Sequence, residues 1–142
     1  PGSGRRFEKL AENLYSDYGH HPVEIRATLQ MAKELSNDVV LVYQPHQNVR
    51  QHEIIGQYTN DIFHDANEIY WLPTYLTREN PDLPTLTPQQ LTKNIDKEKI
   101  HFAELDDNLW QEITATRNSG KLVLCMGAGT IDGWIREQLA KN

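Results

Sequence analysis

A chain of 142 residues, 38% apolar and 24% charged, has the makeup of one globular domain large enough to bury a core. It has no apolar run near the ~20 residues of a membrane helix and no charged-then-apolar secretory leader, and its one cysteine, Cys125, excludes an intrachain disulfide or a multi-cysteine zinc site and fits a reducing cytoplasm. With 20 acidic against 14 basic residues and Arg5-Arg6 the only basic cluster, the chain is a poor nucleic-acid binder.

The opening Pro1-Gly2-Ser3-Gly4 reads either as a cloning remnant or as the tail of a native loop. Phe7–Asp17 is predicted to form two short strands around the turn-like Ala11-Glu12-Asn13. Pro22 suits a first helical turn, and Ile25, Leu29, Ala32 and Leu35 then recur at helical spacing until Ser36-Asn37-Asp38. Val39–Tyr43 is a continuous β-branched run, as expected of a strand covered on both faces. Ile54, Ile55, Tyr58, Ile62 and Phe63 predict an amphipathic helix over residues 50–63, followed by a strand at Glu68–Leu72.

The Pro-rich stretch Pro73–Pro88 is predicted to be a long loop, ending on a Thr87 cap, with a short helix reaching Ile95. A strand over Lys99–Ala103 follows. Asp106 or Asp107 starts a helix carrying Leu109, Trp110 and Ile113. Leu122–Met126 is the last strand, and Gly127-Ala128-Gly129 turns into a terminal helix with Ile131, Trp134, Ile135 and Leu139. Repeated strand-helix alternation predicts an α/β fold: a mostly parallel sheet with helices on both faces. Ligands of such sheets bind at the carboxyl ends of the strands, here loops 17–22, 44–50 and 127–130.

Each loop has a functional and a plain reading. In Asp17-Tyr18-Gly19-His20-His21-Pro22, Asp17 offers a carboxylate for sugar hydroxyls, Tyr18 a flat face, and the helix start unpaired N–H groups for an anion; otherwise it is a capped helix start with surface histidines. Adjacent histidines diverge and no third ligand stands at metal spacing, so no metal site is expected. In Gln44-Pro45-His46-Gln47-Asn48-Val49-Arg50, Arg50 has the fork to clamp a carboxylate; otherwise it decorates a polar loop. Gly127-Ala128-Gly129 is half a dinucleotide fingerprint, but Asp132 stands where the third glycine belongs, so a close-packed turn is the simpler reading. No G-x-x-x-x-G-K-[ST] phosphate loop and no nucleophile elbow occur.

Taken in order, Arg5-Arg6-Phe7-Glu8, Asp17 through Ile25, Gln44-Pro45-His46 with Arg50, and Gly127 through Ile131 resemble the C-terminal domain of the Mur ligases over essentially the whole chain. The branch that joins L-alanine to UDP-N-acetylmuramate is the most similar. The resemblance implies a Rossmann-like domain at residues 1–142, with the UDP-sugar and P-loop ATPase domains elsewhere in the parent. It implies a cytoplasmic, ATP- and Mg²⁺-dependent amide ligation in peptidoglycan precursor synthesis, through an acyl phosphate, with no nucleic-acid or membrane partner.

By resemblance, Arg6 and Asp17 serve ATP, at its phosphates and ribose. Tyr18, His20, His46, Gln47 and Arg50 serve the amino acid or UDP-sugar. No catalytic residue and no metal ligand are expected in this chain, with Mg²⁺ held mainly by the central domain. Gln47 departs from the family's usual Arg, leaving Arg50 to do more or another residue to compensate. Ser16 replaces a frequent Asp. The alternatives are a ligase for another amino acid or a preformed peptide, and a non-catalytic nucleotide-binding module.

Overall fold

A computed structural model describes residues 6–141; the Pro1–Gly4 readings and Arg5 of the basic pair lie outside the described residues. Two runs fix the centre of the sheet. Val39–Tyr43 (β3) and Leu122–Met126 (β6) are buried at every position, as continuous apolar strands must be when helices cover both faces. Leu14–Asp17 (β2) pairs parallel to β6 on the far side from β3, and Glu8–Ala11 (β1) turns back antiparallel along β2. Glu68–Trp71 (β4) and Ile100–Phe102 (β5) extend the sheet beyond β3, giving the order β1-β2-β6-β3-β4-β5.

The helices are Pro22–Leu35 (α1), Asn48–Ile54 (α2), Pro88–Leu91 (α3), Asp107–Asn118 (α4) and Ile131–Ala140 (α5). Alternate strand residues feed two cores. Leu41, Tyr43, Ile69, Trp71 and Leu124 meet Ile25 and Leu29 of α1 on one face. Val42, Val123 and Cys125 meet Leu109 and Ile113 of α4 and Ile131 and Ile135 of α5 on the other. Each such side chain, once buried, contributes roughly 1.5–3 kcal/mol. Cys125 is a small hydrophobe here: burial pushes its thiol up to about 12.

The starts of α3 and α4 follow sequence chemistry. Thr87 accepts from the Gln90 amide and Asp106 from that of Leu109. The predicted helix over 50–63 is not continuous. It ends at Ile54, passes through a tight turn at Ile55–Gln57, and continues as irregular turns. Gly56 weakens helix propagation, and leaving the helix lets Tyr58 and Phe63 both reach full burial beside Tyr43 and Trp71. The strand ends also tighten by a residue, to Trp71 in β4 and to Ile100–Phe102 in β5. Among the described residues no helix is long and apolar enough to cross a membrane.

The Pro-rich loop is packed down, not loose. Glu79 takes the amides of Asn48 (2.9 Å), Val49 (3.1 Å) and Thr77 (2.8 Å), so its carboxylate caps α2. Burial opposes the charge, but these three N–H groups outweigh it and hold the carboxyl below its usual range. The depressed value means that Glu79 stabilises the loop above the unfolded carboxylate range, and that this contribution is lost as pH falls through the folded value. Exchange of the Asn48 and Val49 amides is therefore expected to lose protection at acid pH, as the carboxylate protonates. In Glu79→Gln it should be fast at every pH. Equal protection in both proteins across that range would show that Glu79 anchors nothing.

Candidate functional site

Because β6 lies between β2 and β3, the three loops singled out by the parallel-sheet rule leave adjacent strand ends and meet on one edge. The first loop is built around Asp17. Its buried carboxylate accepts from Phe7 N at 2.7 Å on Oδ1, and from Gly19 N at 2.8 Å and Thr28 Oγ1 at 3.4 Å on Oδ2. A Cβ on Gly19 would stand 2.7 Å from Oδ2, so this turn needs glycine. Asp17 thus ties the entry to β1, the turn and α1 together, and among the described residues its Oδ1 takes one donor, where a carboxylate oxygen can take two. Arg6, exposed, shares with Asp17, Tyr18 and Glu24 a small cavity of about 40 Å³.

Two of the N–H groups at the start of α1 are already bound. Glu24 Oε1 accepts from His20 N and His21 N, both at 3.2 Å. Burial works against the Glu24 charge, yet those two amides with the His20 and Arg6 charges hold the carboxyl below its usual value. An anion at this helix end would meet a carboxylate. That favours the plain, capped reading of the helix start, while the Tyr18 and His20 side chains stay on the rim.

The second loop meets a segment the sequence did not single out. His46 and Tyr75 form a parallel bridge: Tyr75 N donates to Pro45 O at 2.8 Å and Gln47 N to Tyr75 O at 2.7 Å. Gln47 has a left-handed backbone (φ 67°), and its side-chain amide donates to the Arg78 carbonyl at 3.3 Å. Gln47 is thereby engaged by the loop carrying Arg78, and among the described residues the ion pair of Arg50 is a loose 3.8 Å contact to Glu53.

The rings line up. Tyr18 meets His20 edge-on at 5.6 Å, His20 meets His46 at 5.5 Å, and His46 stacks on Tyr75 at 5.6 Å and 23°. Beneath them runs a buried polar chain. Tyr43 OH lies 3.2 Å from His20 O and 2.8 Å from Tyr58 OH; Tyr58 donates to Gln51 Oε1 at 2.6 Å, and Gln51 Nε2 to His46 O at 3.0 Å. Burial pushes both tyrosine hydroxyls well above their usual value, so they stay protonated. The chain joins the main-chain carbonyls of the two histidines.

The third loop is the close-packed turn. A Cβ on Gly129 would meet Tyr75 Cγ at 2.6 Å and Gln44 Oε1 at 2.7 Å. Gln44 caps α5 by accepting from Ile131 N at 3.1 Å and donating to Thr130 Oγ1 at 2.9 Å. The half-fingerprint therefore serves packing of Tyr75 and Gln44.

Tyr18, His20, His46, Gln47 and Arg50 thus fall on one edge, with Arg6 and Asp17 beside α1. Sequence reasoning missed Tyr75, Arg78 and Glu79, whose only signal was their place in a loop too long to be idle. A larger cavity, about 790 Å³, lies elsewhere, at the ends of β4 and β5. Its lining includes Glu104, Asp106 and Glu112, which repel a carboxylate or phosphate, beside His101. Among the described residues no group of three His, Cys, Asp or Glu side chains could hold a metal.

The chain is an α/β domain whose strand-end loops gather on one edge. The family profile "Mur ligase, glutamate ligase domain" matches residues 5–129, and the chain belongs to that family. It is 36% identical over 96% of its length to the UDP-N-acetylmuramate–L-alanine ligase of Rickettsia felis, of which it spans 30%. The UDP-N-acetylmuramate–alanine ligase of Thermotoga maritima superposes with a TM-score of 0.67 at 26% identity, covering 96% of this chain and 29% of that one. A murein peptide ligase from Psychrobacter arcticus shares the fold, with a TM-score of 0.65 at 18% identity over 96% of this chain and 29% of that one.

Proposed function

We propose that this chain is the C-terminal domain of a cytoplasmic, ATP-dependent UDP-N-acetylmuramate–L-alanine ligase of peptidoglycan precursor synthesis. The observation that carries the reading is the meeting of His20 and His46, 5.5 Å apart, on the edge that also holds Arg50. Two further domains of the parent, one for the UDP-sugar and a P-loop ATPase domain, supply the phosphate cradle and the Mg²⁺ ligands. ATP phosphorylates the muramoyl carboxylate, and the L-alanine amine displaces phosphate. An acyl phosphate survives only where water is excluded, which a closing domain provides.

Within this reading Arg6 reaches toward the ATP phosphates, and Asp17 offers its remaining acceptor position to the ribose. Tyr18, His20 and His46 surround the alanine, and Arg50 takes its carboxylate. Gln47, turned to the Arg78 carbonyl, shapes that site without adding a charge.

The full-length parent is expected to form UDP-N-acetylmuramoyl-L-alanine, ADP and phosphate from the three substrates. The isolated 142-residue chain, which has no phosphate loop, is expected to form none of them. ATP-dependent ligation by the purified chain alone, or its absence from the full-length parent, would refute the assignment.

A further inference from the structure

We propose that His20 and His46 hold opposite tautomers and divide the work: His20 Nε2 accepts the proton of the incoming amine, while His46 presents a fixed Nε2–H donor to the same substrate. The proposal rests on the ligase reading above. It begins from the hydrogen bonds of the rings. His20 Nδ1 lies 3.3 Å from the Tyr18 carbonyl oxygen, which can only accept, so Nδ1 carries the hydrogen. In the neutral ring that leaves a lone pair on Nε2, which has no hydrogen-bond partner among the described residues.

His46 is the reverse. Its Nδ1 is buried and has no hydrogen-bond partner among the described residues. A buried N–H without an acceptor is rarer in proteins than an under-satisfied acceptor, so Nδ1 is the bare nitrogen and Nε2 carries the hydrogen. Protonating this ring would force an N–H into the buried position. Burial, then the charges of His20, Arg50 and Arg78, depress its basicity in the same direction, against the opposing pull of Glu79. His46 is therefore a poor base and a constant donor.

The pair is held in place. The rings stand 5.5 Å apart. Their carbonyls are the two ends of the buried Tyr43–Tyr58–Gln51 chain, so neither loop moves without breaking it. Tyr18, Glu24 and His46 face His20; His20, Tyr75, Arg50, Arg78 and Glu79 face His46.

The step balances as follows. The amine arrives as an ammonium ion. One proton passes first to His20 Nε2 and later to solvent, which frees the nitrogen lone pair that then bonds to the acyl carbon. The carbon–oxygen bond to phosphate breaks, and a second nitrogen proton leaves with it as monohydrogen phosphate. The third remains on the amide.

The test uses the full-length ligase and two nucleophiles. L-Alanine arrives protonated and needs a base; hydroxylamine is already unprotonated at neutral pH and does not. His20→Gln keeps a polar side chain that cannot take up a proton. It is expected to lose about 10²–10³-fold in kcat with alanine, together with the acid limb of the pH profile. ATP-dependent hydroxamate formation should fall by far less. His46→Gln retains an N–H donor and is expected to lose less than about tenfold with both nucleophiles and to keep the acid limb.

Equal losses with the two nucleophiles in His20→Gln, or loss of the acid limb in His46→Gln in place of His20→Gln, would overturn the division of roles. Failure of the wild-type protein to form either product would instead sink the ligase reading beneath it.

Discussion

Replacing Arg50 by alanine in the full-length protein is expected to lower kcat/KM for alanine by about tenfold to several hundredfold. Arg50 stands in the first turn of α2, close to His46, and among the described residues its acidic contact is the loose one to Glu53. The neighbouring position, where the family resemblance leads one to expect a second arginine, is Gln47, with its amide turned to the Arg78 carbonyl. A bidentate, charge-assisted contact contributes roughly 1.5–3 kcal/mol, and an unpaired carboxylate in a closed site costs more. Each ~1.4 kcal/mol is a factor of ten in rate.

Arg50→Lys should recover only part of the loss, because a point charge cannot reproduce the fork. Thermal stability should barely change, since a half-exposed i,i+3 ion pair contributes well under about 1 kcal/mol. Alanine kinetics within about twofold of wild type for both variants, far below one lost charge-assisted contact, would end the assignment of Arg50 as the carboxylate clamp.

The second large effect is structural. Gly129→Ala places a methyl carbon 2.6 Å from the Tyr75 ring and 2.7 Å from Gln44 Oε1. Neither neighbour yields freely. Tyr75 is held by its main-chain bridge to the His46 loop and by stacking on His46. Gln44 holds the start of α5 through two hydrogen bonds. Overpacking of this kind costs about 1–3 kcal/mol, so the melting temperature of the chain should drop by roughly 3–10 °C. The Ile131 amide should lose exchange protection. An unchanged melting temperature with an intact Ile131 amide would mean that the turn has slack, and that glycine there has another cause.

Much of this architecture is written locally. Val39–Tyr43 and Leu122–Met126 announce themselves because strands covered on both faces are apolar throughout. Pro22, Thr87 and Asp106 mark helix starts through chemistry confined to one turn. The failed stretch, residues 50–63, has good helical periodicity; it breaks where Tyr58 packs into the core on the α1 face and its hydroxyl meets that of Tyr43, a demand that no local window contains.

The site divides the same way. Tyr18, His20, His46 and Arg50 stand at strand ends, where a parallel sheet puts its ligands, and motif order singled them out. Tyr75 and Glu79 lie about thirty residues beyond His46 in a loop without periodicity, and only tertiary pairing brings them to α2. The N–H groups at the start of α1 were legible as an anion site, but not their capture by Glu24, which depends on the turn that Asp17 and Gly19 impose.

The most direct test of the central claim, that the amino acid is received on the β2–β6–β3 edge, is alanine titration of the full-length protein. UDP-N-acetylmuramate and a non-hydrolysable ATP analogue would hold it closed while side-chain NMR resonances are followed. The His20, His46 and Tyr75 rings and the Arg50 guanidinium should shift together, in saturable fashion, with Phe102 and Asn108 of the larger β4–β5 cavity unmoved. Saturable shifts at Phe102 and Asn108 that leave the two histidines still would place the amino acid in that cavity and contradict the account.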